Sequence, residues 1–113
     1  MLTVDALKQF GADTQSGINR CVNNEGLYLR LVKMVPNNES FKSLYETIKN
    51  NDLDNAFKAA HSLKGILANL AIDPIVAPVN EITELLRNKQ NIDYTIYLEK
   101  IENKRKELEI LCE

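Results

Sequence analysis

Apolar residues recur at steps of three and four along most of this chain, a period that fits one face of an α-helix and not the alternation of a half-buried strand. The pattern is clearest where Leu53, Ala56, Phe57, Ala60, Leu63, Leu67 and Leu70 fall on a single stripe. A helix carrying such a stripe must cover it against other elements. Asp52 stands just ahead of the stripe, where a short acidic side chain can accept a backbone N–H of the first turn. The helix is expected to run to about Ala71.

The rest of the chain reads the same way, in segments punctuated by turn residues. Thr3 is placed to cap a short helix over Val4 to Phe10, which Gly11 ends. Asp13 to Gly17 reads as a loop. Leu27, Leu31, Met34 and Val35 share a face of a helix over roughly Asn24 to Val35, stopped by Pro36 and Asn37. Phe41, Leu44, Tyr45 and Ile48 mark the next helix, which gives out at Lys49-Asn50-Asn51. Asp73-Pro74 has the form of a cap followed by proline at the first helical position, ahead of Ile75, Val79, Ile82 and Leu86. Pro78 lacks a backbone donor and is expected to distort that helix without ending it. After a polar turn over Asn88 to Asn91, a last helix uses Tyr94, Leu98, Ile101, Leu108 and Cys112. Short connections make successive helices antiparallel neighbours. The expected fold is all-α: an up-down antiparallel four-helix bundle with a short extra N-terminal helix, one monomeric domain over residues 1–113.

Composition narrows the functions open to such a domain. Hydrophobic residues make up 44% of the sequence, enough to bury a core without staples. Fourteen basic and 16 acidic residues leave a net charge of -2, with no basic excess to neutralise a nucleic-acid backbone. Lys104-Arg105-Lys106 is balanced by Glu102, Glu107 and Glu109, so it forms neither a nucleic-acid nor a membrane patch. Cys21 and Cys112 fit no metal spacing, and no disulfide is expected. No apolar run is long enough to span a bilayer and the N-terminus does not read as a signal peptide, so a cytoplasmic location is expected.

Most catalytic constellations are missing. There is no glycine-rich phosphate loop and no strand–turn–helix nucleophile site, and one histidine with two distant cysteines cannot close a zinc site. Any chemistry falls to His61. On a helix, residues three and four positions on are surface neighbours, which puts Lys64 and Gly65 beside the imidazole and Ala68 two turns along. A neutral imidazole nitrogen is a nucleophile near neutral pH. A phosphoryl group brings roughly -1.5 to -2 charges, which an ammonium can partly offset. Glycine in mid-helix costs about 1 kcal/mol relative to alanine and therefore asks for a reason; here it clears room for a partner to approach. Each residue also has a plain reading. A lone histidine is ordinarily a surface residue, lysine is abundant here, and Gly65 can serve close helix packing. Phe57, Leu63 and Leu67 read as bundle core, and Glu81, Glu84, Glu99 and Glu102 as solvated faces.

Taken together, Ala60-His61-Ser62-Leu63-Lys64-Gly65 resembles the signature of the histidine-containing phosphotransfer (HPt) domain family. Ile18 to Val35 resembles the family's opening segment, and Leu44 to Asp54 the helix and polar turn that precede its histidine helix. The resemblance implies a helical phosphorelay intermediate that is not itself an enzyme. His61 would be the phosphorylated carrier, Lys64 the phosphate-side cation, and Gly65 with Ala68 the docking clearance. The implied partners are a response-regulator receiver domain and a hybrid histidine kinase. The chain would need no cofactor, since the receiver would bring the divalent metal. Two positions depart from the family: Ala71 stands where glycine often ends the histidine helix, and Val35 where an aromatic residue commonly closes the preceding long helix. Both concern packing and helix termination.

Two rival readings stay open beside this one. A degenerate relative would act as a helical adaptor without phosphorylation, but it would tolerate replacement of His61, Lys64 or Gly65. The dimerising histidine domain of a sensor kinase typically has an acidic residue after its histidine and a nucleotide-binding domain following. Here Ser62 follows His61, and the sequence ends at Glu113.

Overall fold

A computed structural model describes residues 1–113 and contains helices and turns only. In chain order these are α1 (Val4–Phe10), α2 (Thr14–Arg20), α3 (Glu25–Met34), a single 3-10 turn (Val35–Asn37), α4 (Glu39–Lys49), α5 (Leu53–Asn69), α6 (Asp73–Arg87) and α7 (Thr95–Leu111). Helix α5 packs against both α4 and α6, and α6 against α7. None of the helices is long and apolar enough to cross a membrane.

Side-chain caps set most of the helix starts. Thr3, Asp13, Asn24, Asn38 and Asp52 each accept a backbone N–H from the first turn that follows. Gly11 ends α1 with φ 112°, a conformation that an L side chain rarely adopts. Two expectations need correcting. Asp13 to Gly17 is not a loop: Asp13 caps α2, so the N-terminal region holds two short helices, not one. Asp73 is the first residue of α6, not its cap. Ile72 takes the cap position without a side-chain bond, and Pro74 falls one place further in. Helix α6 runs unbroken through the buried Pro78.

The stripes meet in one core. Leu63 and Leu67 of α5, Leu44 of α4, Ile75, Val79 and Ile82 of α6, and Ile101 and Leu108 of α7 are fully buried. At one end of α5 the chain is pinned from outside the bundle. Tyr28 of α3 is fully buried and donates its hydroxyl to the Leu70 carbonyl at 3.0 Å. Burial pushes the Tyr28 phenol up to about 12. Gly17 of α2 lies against the Tyr28 ring, and a Cβ there would stand 2.8 Å from the Leu70 carbonyl oxygen. Ala71, which follows, has φ 54°, the left-handed conformation that favours glycine.

A polar clamp secures α7 to the 3-10 turn. Arg105 donates to both Glu102 carboxylate oxygens at 2.7 and 2.8 Å, to Glu109 at 3.0 Å and to the Pro36 carbonyl at 3.0 Å. Tyr45 of α4 donates to Glu102 at 2.8 Å. Glu102 is therefore not the solvated carboxylate that its sequence position implied. The Arg105 hydrogen bonds hold its carboxyl below the usual range, against the opposing effect of burial.

Candidate functional site

His61 lies at the midpoint of α5, on the face turned away from Leu63 and Leu67, and is exposed. Neither imidazole nitrogen is engaged by another group of the protein: the ring takes part in no side-chain hydrogen bond and no ion pair. A histidine fixed for a structural purpose normally has at least one nitrogen satisfied. Here both are free to meet solvent or an incoming group.

The surroundings follow from helical spacing. Lys64 is half-buried and Gly65 exposed, with Ala68 half-buried one turn beyond. Lys58 lies one turn before His61, so a lysine flanks the imidazole on either side along the helix. Neither lysine pairs with a carboxylate; the five ion pairs of the molecule engage Arg87, Lys89, Lys104 and Arg105. Both ammonium groups are therefore uncommitted. A Cβ built on Gly65 would meet nothing within 4 Å. Within this chain Gly65 serves no close helix packing, which removes the plain reading of that glycine. The Ala68 carbonyl accepts from Arg20 of α2 at 2.6 Å, so the clearance along α5 is bounded by the short N-terminal helices.

Several neighbours were not singled out from the sequence. Phe57, expected in the core, is only half-buried and stacks on His61 with ring centroids 5.8 Å apart and planes 21° from parallel. Arg87 of α6 lies over the Phe57 ring, 5.1 Å from its centroid, and pairs with Glu84 at 3.4 Å. Ser62 approaches Ser40 of α4 with a 3.4 Å hydroxyl contact. The i, i+4 spacing of Phe57 and His61 was the available signal for the first of these. Arg87 comes from another helix, and no local pattern announces it. Beyond Gly65, Leu31, Met34, Val35, Ile66 and Leu70 line a shallow groove of about 260 Å³ between α3 and α5.

No three His, Cys, Asp or Glu side chains converge anywhere in the molecule. The site thus consists of an exposed histidine, two lysines free of ion pairs and open space over Gly65. The family model of the Hpt domain matches residues 37–111, which take in α4 through α7. The chain belongs to the Hpt domain family, the phosphotransfer modules of two-component and phosphorelay signalling. No curated protein and no solved structure matches it.

Proposed function

We propose that this Hpt domain is a phosphorelay intermediate in which His61 takes a phosphoryl group from a receiver-domain aspartate, or from a histidine kinase system, and yields it to a receiver aspartate. In the forward step a lone pair on a neutral imidazole nitrogen attacks phosphorus. The N–P bond forms as the P–O bond to the donor aspartate breaks, and the electron pair leaves on the aspartate carboxylate. The reverse step reloads a receiver. The attacking nitrogen carries no proton in the neutral ring, so the chain itself needs no general base.

Lys64 is placed to offset the charge of the transferred group, while Gly65 and Ala68 leave room for the receiver's active site. The divalent cation of the reaction belongs to the receiver, and this chain supplies no cofactor. We read α4 to α7 as the up-down antiparallel bundle, α1 to α3 as additions at its N-terminal side, the chain as a monomer and its location as the cytoplasm. The observation that carries the proposal is the pairing of a hydrogen-bond-free, exposed His61 with empty space over Gly65 on the same helix face.

The test is transfer of labelled phosphate from a phosphorylated receiver to the parent chain and to His61→Gln. The parent is expected to acquire an acid-labile, base-stable phosphate and the variant none, with both chains equally folded. Label that persists on His61→Gln refutes the assignment. A parent that binds receivers but takes no label is the helical adaptor instead.

A further inference from the structure

A histidine that acts as a nucleophile is usually held in orientation by a hydrogen bond to its second nitrogen. His61 has no such bond, and an exposed side chain with two free torsions samples several rotamers on a fast timescale. Its only specific ring contact is Phe57, with centroids 5.8 Å apart and planes 21° from parallel. Phe57 differs from its stripe-mates: Leu63 and Leu67 are wholly buried, whereas the phenyl ring stays half-exposed beside the imidazole. The ring is also held from the neighbouring helix. The Arg87 guanidinium lies 5.1 Å from its centroid and is itself tied to Glu84 at 3.4 Å. Such a cation over an aromatic face is attractive even at partly exposed sites.

We infer that Phe57 is a positioning residue for His61: its ring, steadied by Arg87, restricts the imidazole to one orientation by stacking and so takes the place of the missing hydrogen-bonded orienter. Phe57 touches neither the phosphoryl group nor the donor. It acts by raising the fraction of time the imidazole spends with its nucleophilic nitrogen directed outward. The inference rests on His61 being the phosphoryl carrier. An aromatic pair of this kind is worth enough to change the population of one orientation about 3- to 10-fold, and the transfer rate is expected to follow.

The experiment uses phosphoramidate, a small donor that needs no docking surface. The nitrogen–phosphorus bond of phosphoramidate breaks as the N–P bond to His61 forms, and ammonia leaves with a proton. Phosphorylation rates are measured for the parent chain, Phe57→Leu and Phe57→Tyr, with a thermal melt of each. Nuclear Overhauser contacts between the Phe57 and His61 ring protons are recorded on the parent. Phe57→Leu keeps apolar bulk but loses the ring, and is expected to fold and to slow by about 3- to 10-fold. Phe57→Tyr restores the ring and the rate, which a loss of packing alone does not explain. An equal rate for Phe57→Leu overturns the inference while leaving the carrier role standing. Absence of ring contacts in the parent overturns it too, even if Phe57→Leu fails to fold. A parent that takes no phosphate on His61 removes the carrier reading and this inference together.

Discussion

Replacing Gly65 separates stability from function, because the structure leaves nothing for the glycine to do inside the chain. Gly65 is in the interior of α5 and exposed, and an added Cβ would meet no atom within 4 Å. With no steric penalty, the intrinsic preference of a helix for alanine over glycine acts in full, about 0.5–1 kcal/mol. For a domain of this size, that corresponds to a rise in melting temperature of about 2–6 °C. Thermal unfolding of Gly65→Ala followed by far-ultraviolet circular dichroism measures it. Gly65→Gln and Gly65→Leu should also fold, since their side chains point into the same open space. Their bulk one turn from His61 should obstruct the receiver, so transfer from a phosphorylated receiver and receiver binding both weaken. Phosphorylation by a small donor should suffer less. A Gly65→Ala chain that melts below the parent refutes the reasoning, because the glycine would then be serving the fold. Normal receiver transfer by Gly65→Gln would show that the partner does not dock over this turn.

Other perturbations follow from the same geometry. Lys64→Ala should slow transfer about 10-fold without abolishing it, as expected for one charge-assisted contact at a wet site, and equal rates would make Lys64 an ordinary surface lysine. Arg105→Met should cost about 2 kcal/mol in chemical denaturation by unpairing Glu102 and the Pro36 carbonyl, and an unchanged midpoint would show that the clamp is idle. The Glu102 carboxyl sits below its usual range, so its contribution to stability is complete above the ordinary carboxylate range and is lost as pH falls through it and below. Acid titration of the parent against Glu102→Gln should therefore show the variant losing less stability over that interval. Gly17→Ala should destabilise by about 1–3 kcal/mol through overpacking, since its new methyl meets the Tyr28 ring and the Leu70 carbonyl oxygen; a parent-like melt would contradict that packing.

The elements that were legible in the sequence are those whose signals are local. Thr3, Gly11 and Asp52 act at the helix ends where capping chemistry places them, and the Leu63–Leu67 stripe is buried as its period requires. His61, Lys64 and Gly65 share one helix face because a single helix carries all three. The misread parts combine local contacts with others distant in sequence. Thr14 to Arg20 has a weak apolar stripe and a glycine in its middle. It is helical because Asp13 caps it and Gly17 lets it close on Tyr28 and Leu70. Glu102 looked like a surface carboxylate until Arg105 and Tyr45, from its own helix and from α4, were seen to enclose it. Phe57 was assigned to the core on its period alone, but it is only half-buried, and its i, i+4 spacing stacks its ring on His61.

The central claim, that His61 itself bears the phosphoryl group, is tested most directly by phosphorus nuclear magnetic resonance of the chain mixed with a phosphorylated receiver and its divalent cation. The account predicts one new resonance in the phosphohistidine region, coupled to the imidazole protons of His61. It should decay when an unphosphorylated receiver is added and be absent from His61→Gln. A phosphorylated receiver that loses its phosphate only to water, or a resonance that survives in His61→Gln, would contradict it.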